Sequence, residues 1–139
     1  MASSPTSVIT RLHQAMNNHD LDAFVAYFDS AYRSEQPVHP NRTFNGNGQV
    51  RTNWAAFFAG VPDFQAELLR VATEGDVVWS EWIWTGHRGD GSTLDMSGVV
   101  IAGISYDRIA WARLYVSIME ETEQESAGID ATVRRLAGT

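Results

Sequence analysis

The chain has 139 residues, 44% hydrophobic and 19% charged, with no cysteine and a net charge of −7 from 10 basic and 17 acidic side chains. That length suits one domain with a sizeable core, so residues 1–139 are read as a single unit. No apolar run approaches the roughly 18 residues of a membrane span, the missing cysteines exclude disulfides and thiolate catalysis, and the acidic balance repels phosphate backbones and acidic membrane surfaces.

The opening stretch MASSPTSVITRLHQ lacks a basic region followed by an apolar core, so a cytoplasmic protein is expected, without a nucleic-acid or membrane partner. Ser4-Pro5 reads as an N-cap with proline in the first turn, and Val8, Ile9, Leu12 and Met16 then recur at helical spacing. Asn17-Asn18-His19 breaks this helix. Asp20 caps a second one, whose apolar positions are Leu21, Phe24, Val25 and Phe28.

Ala31 to Gln36 reads as extended, and Pro37-Val38-His39-Pro40-Asn41 as irregular, since each proline biases its predecessor away from helix. Asn45-Gly46-Asn47-Gly48 is a turn into a third helix with Val50, Trp54, Phe57 and Phe58 on one face, ended by Pro62. From there the period changes to two. Four extended segments, about 63–73, 77–87, 93–104 and 108–118, are separated by turn-forming residues and predict an antiparallel meander. Glu120 to Gly128 reads as an acidic linker, and Ile129, Val133 and Leu136 as the docking face of a short last helix.

Helices followed by a meander predict an α+β fold: three N-terminal helices on a curved, mainly antiparallel sheet, with a short C-terminal helix. Val78, Trp82, Trp84, Leu94, Met96 and Val100 suggest one apolar face, while Trp79, Ile83, Val99 and Trp111 keep the opposite face from being fully polar. So few helices cover only one face, which predicts a homodimer through the outer one, with Trp82 and Trp84 expected at its interface.

The segments YRSEQPVHPNRTFNG, EWIWTGHRGDGS and RIAWARLYVS, in this order of elements, resemble the SnoaL-like branch of the nuclear transport factor 2-like superfamily, which includes ketosteroid isomerases, polyketide cyclases and limonene epoxide hydrolases. RIAWARLY, an acidic linker and IDATVRRL are similar to the closing segment of an actinobacterial group among them. The resemblance implies a conical pocket between helices and concave sheet, dimerisation through the sheet, no obligatory cofactor, and a carboxylate as general base. In the cyclases and epoxide hydrolases an aspartate sits in a last-strand pattern like WRDYFD. Here Leu114 and Ser117 stand where that pattern is acidic.

Glu81 falls on the strand that supplies polar pocket groups in the epoxide hydrolases, so the resemblance makes it the candidate base. A carboxylate walled by Trp79, Trp54 and Phe58 is poised for proton transfer near neutral pH; the competing reading pairs it with a basic neighbour such as Arg113. His39, between two prolines, is the second catalytic candidate. Asp95, Met96, Arg113, Leu114 and Tyr115 complete the expected pocket, and a one-residue shift of the last strand exchanges Arg113 and Tyr115 for Leu114. The four histidines lack paired ligand spacing and no GxSxG occurs, so neither a metal site nor that type of serine nucleophile is expected. The expected function is a cofactor-independent isomerase, cyclase or hydrolase acting on a hydrophobic small molecule. The alternatives are a non-catalytic binding module and a dimer whose cone is filled by its own side chains.

Overall fold

The computed structural model describes residues 4–119 and 128–138. In chain order it comprises α1 (Pro5–Asn17), α2 (Leu21–Ala26), β1 (Phe28–Glu35), a 3-10 turn (Pro40–Arg42), β2 (Phe44–Asn45), α3 (Asn47–Gly60), β3 (Gln65–Glu74), β4 (Val77–His87), β5 (Thr93–Ser105), β6 (Arg108–Ile118) and α4 (Gly128–Ala137). The six strands form one sheet in the order β2-β1-β6-β5-β4-β3. Only β1 and β6 run parallel; every other pair is antiparallel. This is the expected α+β cone.

Local chemistry sets the element ends. Ser4 Oγ accepts from the Ser7 N–H at 3.1 Å and Asp20 Oδ1 from the Ala23 N–H at 3.1 Å, each satisfying a donor that the first helical turn leaves unpaired. The second helix is shorter than its apolar spacing implies. Tyr27 O accepts from Ile109 N–H at 2.7 Å, which draws the chain onto β6, so Phe28 opens β1 instead of closing α2. Gly46 precedes α3 at φ 92°, in the left-handed region that glycine enters freely.

The core lies between α1–α3 and one face of the sheet. Val8, Ile9, Met16 and Phe24 of the helices, Phe64 before β3, and Val78 and Trp82 of β4 are almost wholly buried there. Trp82 and Trp84 therefore face the helices, not a dimer interface as expected. Only there is enough apolar surface available to cover two indoles. No residue of α4 is buried, and Ile129, Val133 and Leu136 are exposed on it. The acidic segment expected before it lies, apart from Gly128, outside the described residues. Among these, no helix is long and apolar enough to cross a membrane.

A side-chain clamp ties α1 to the outer edge of β3. Asn17 uses its amide as a strand would use its backbone: Oδ1 accepts from Ala66 N–H at 2.7 Å and Nδ2 donates to Ala66 O at 2.9 Å. His13 Nε2 donates to the same carbonyl at 2.6 Å, and His19 Nε2 to Phe64 O at 2.7 Å. His19 holds φ 52°, a non-glycine residue in the left-handed region, to make that contact. Both histidines thus join helix to sheet, His19 beyond the simple helix break expected of it. Replacing Asn17 by alanine leaves Ala66 N–H without this partner, so urea unfolding should show a loss of about 1–3 kcal/mol.

Candidate functional site

Between the helices and the inner sheet face lies a cavity of about 290 Å³. Ile9, Leu12 and Met16 of α1 and Phe24 of α2 close one side, and Val50, Trp54 and Phe57 of α3 another. The floor is the inward row of the central strands: Ser80, Trp82 and Trp84 of β4, Met96, Val100 and Ala102 of β5, and Ala112, Leu114 and Val116 of β6. These residues share a face because Trp84 is opposite Met96, Ser80 opposite Val100, and Val100 opposite Leu114.

The aromatic wall is internally braced. Trp54 meets Trp84 edge-on at 5.4 Å, and Phe24 at 4.5 Å. Trp82 Nε1 donates to Ser80 Oγ at 2.8 Å, which donates to Val100 O at 3.1 Å, so this buried polar pair is satisfied from within. Trp84 Nε1–H is the one buried side-chain polar atom without a hydrogen-bond partner among the described residues.

The remaining polar groups gather at one end. β1 points Tyr32 and Ser34 inward, Gln36 follows two residues on, Arg42 comes from the 3-10 turn and Asn53 from α3. Burial pushes the Tyr32 hydroxyl up to about 12, opposed by a hydrogen bond from Ser34, so the phenol keeps its proton at neutral pH. Among the described residues no aspartate, glutamate or histidine lines the cavity.

The expected site residues therefore separate. Trp54, Met96 and Leu114 line the cavity. Phe58 packs beside it, stacked on His19 with ring centroids 4.9 Å apart. Glu81 lies outside: it alternates with the buried Ser80 and Trp82, so its side chain is on the outer face, 40% exposed, with Oε1 3.1 Å from Arg70 Nε. The partner is Arg70 on β3, not Arg113. Trp79 shares this outer face, 47% exposed, together with Arg113 and Tyr115; Arg113 pairs there with Glu35 at 3.3 Å. Asp95, opposite Thr85, borders a separate polar groove with His19, Asp63 and His87. In that groove His87 Nδ1 donates to Asp63 Oδ2 at 2.6 Å, holding the Asp63 carboxyl below its usual range. His39 is exposed and absent from the cavity wall; its backbone N–H donates to Gln36 O at 2.7 Å.

Sequence reasoning passed over Tyr32, Ser34, Gln36, Arg42 and Asn53. The first three were legible as one face of a strand at spacing two, within a segment singled out for other residues. Among the described residues no group of three or more histidine, aspartate or glutamate side chains is placed to hold a metal ion.

Tyr32 supplies a direct check. Absorbance at 295 nm should show a phenol ionising near pH 12, a step that Tyr32→Phe removes. The folded value is above the usual tyrosine value of about 10, so the unfolded chain loses that proton first. Stability from this group should be complete below pH about 10 and fall from there to about 12.

Comparison with known proteins now gives the family. Residues 9–112 match the model of the SnoaL-like domain. No curated protein matches in sequence. The fold is shared with wild-type IdmH, a candidate polyketide cyclase from Streptomyces antibioticus: TM-score 0.72 at 17% identity, over 91% of this chain and 100% of that one. A candidate isomerase from Bacillus subtilis gives TM-score 0.71 at 16% identity, covering 81% of this chain and 86% of that one. A Catenulispora acidiphila protein with a ketosteroid isomerase-like fold, solved with trimethylamine, gives 0.69 at 16% identity over 81% and 86%. The chain belongs to the SnoaL-like domain family, with the nuclear transport factor 2-like cone as its fold.

Proposed function

We propose that this protein binds a largely apolar small molecule in the cavity between α1–α3 and the inner sheet face. One observation carries the reading: a cavity of about 290 Å³ has aromatic and aliphatic walls, with few open polar groups, Gln36, Arg42 and Asn53. Such a site takes its affinity from apolar burial and its orientation from a few polar contacts. Ligand-directed chemistry in it requires no part from Glu81 or His39, both of which are outside.

A second reading, supported by the family and by the Tyr32 phenol, makes the protein a cofactor-independent isomerase or cyclase. A protonated buried hydroxyl donates to a carbonyl oxygen as charge develops there, and a shaped apolar wall holds a flexible substrate folded for reaction. Substrate turnover, followed by mass spectrometry of the product, separates it from binding alone. Under this reading Tyr32→Phe slows turnover and Glu81→Gln leaves it unchanged.

The neutral fluorescent probe N-phenyl-1-naphthylamine tests the cavity itself. It should bind with enhanced emission, and Leu114→Trp, which fills the space at an unchanged melting temperature, should weaken it about tenfold or more. Glu81→Gln should bind as the parent does. Equal binding by the Leu114 variant would end the assignment.

We also propose association of two copies through the outer sheet face, where Trp79 and Tyr115 are exposed beside half-buried Ile83, Val99 and Ile101. Equilibrium sedimentation should give a dimer, and Trp79→Glu a monomer; a monomeric parent protein would overturn this.

A further inference from the structure

The polar end of the cavity has a sign. Of the described residues lining the cavity, Arg42 alone carries a full charge at neutral pH. It closes the 3-10 turn that His39 and Pro40 begin, with its N–H bonded to His39 O at 2.9 Å and the next N–H, of Thr43, to Pro40 O at 3.2 Å. The turn therefore holds its backbone at the rim, and Phe44, the next residue but one, is itself part of the cavity wall.

The environment of this guanidinium differs from that of the four arginines held against a carboxylate. Arg33, Arg51, Arg70 and Arg113 each face a carboxylate at 2.8–3.3 Å. Among the described residues Arg42 has no ion pair; its Nη1 donates to a neutral acceptor, Gln36 Oε1, at 3.1 Å. A guanidinium has five N–H donors in a planar fork, so one neutral contact leaves most of them available. Gln36 fixes the head in place without neutralising it. The chain as a whole is acidic at −7, yet no carboxylate among the described residues lines the cavity, and exposed charges farther than a Debye length, about 8 Å at physiological salt, are largely screened. Within the described lining, the one full charge is that of Arg42.

The lining sorts in the same direction. Its deep residues are mainly apolar, Ile9, Met16, Phe24, Trp82 and Trp84 among them, with the uncharged Tyr32, Ser34 and Ser80 as the buried polar ones. Its partly or fully open polar residues are Gln36, Arg42 and Asn53. We infer that the ligand is an amphipathic monocarboxylate, its apolar body among the cavity aromatics and its carboxylate on the Arg42 fork at the mouth. This rests on the reading that the cavity binds a hydrophobic small molecule and adds the ligand's charge and orientation. Planarity and two acceptor oxygens make a carboxylate the natural partner of a guanidinium.

Matched probes test it: 2-naphthylacetate against 2-naphthaleneethanol, and decanoate against decanol, by titration calorimetry at pH 7. The parent protein should prefer each acid over its alcohol about tenfold, as a charge-assisted bond exceeds a neutral one. Arg42→Gln should remove that preference by weakening the acids alone, leaving alcohol affinity unchanged. Arg42→Lys, which keeps charge without the fork, should retain part of it, and 1 M salt should shrink it in the parent. Equal affinity for acid and alcohol in the parent, or an acid preference that survives Arg42→Gln, overturns the carboxylate assignment while leaving the cavity's binding role intact. If all four probes fail to bind, the binding role falls, and the carboxylate assignment with it.

Discussion

Successive side chains of a strand point to opposite faces, and in β4 the choice of face follows from what must be buried. Trp82 and Trp84 put two indoles on one face of β4 against Trp79 alone on the other, and the helix-covered side hides the pair. Glu81 is then forced outward to Arg70, because the residue between two inward tryptophans has no other direction. The pairing register passes that parity across the sheet. Met96, Val100, Leu114 and Val116 turn inward with the tryptophans, while Val99, Arg113 and Tyr115 turn out with Glu81. A shift of one residue would place a carboxylate in the cavity and two indoles in solvent. The apolar character of the cavity floor descends from this constraint.

The residues at that polar end come from a different source. β1 is short, irregular between Phe28 and Arg33, and parallel to β6, so its inward side chains belong to the edge of the cone and not to its floor. Tyr32, Ser34 and Gln36 therefore meet the 3-10 turn and α3, with apolar packing behind them and the mouth ahead. A hydroxyl in such a place is a donor that stays a donor, since the low-dielectric surroundings disfavour its anion. The floor contributes no free hydroxyl, and its open donor is the Trp84 indole N–H. The hydroxyl of Ser80 is spent between Trp82 and Val100.

The architecture was largely legible because turn chemistry and strand period are local signals. Ser4, Asp20, the Asn45–Gly48 turn and the links at Glu74–Asp76 and Gly89–Ser92 mark their boundaries through their own backbone demands. Parity was harder to read, because β4 and β5 carry apolar residues on both faces and alternation alone does not say which is inside. Trp79 and Ile83 compete with Trp82 and Trp84 until the helices are placed. Long-range contacts were invisible for the same reason: nothing near His13, Asn17 or His19 announces that its partner is a carbonyl or amide some fifty residues away. The site suffered most. Its polar residues were passed over in favour of the charged and aromatic ones, although chemistry was sought along the very segment that holds them.

The clamp of α1 on β3 has a consequence beyond holding a helix. β3 is a terminal strand of the sheet, and the unpaired backbone groups of such a strand are a template on which another chain can grow. At its start Asn17, His13 and His19 occupy the outward groups of Phe64 and Ala66, and farther along the register with β4 breaks between Leu68 and Arg70. An incoming strand finds the first positions taken and the next ones bent out of line. The same contacts that close the cone thus guard the protein against self-aggregation through its longest open edge.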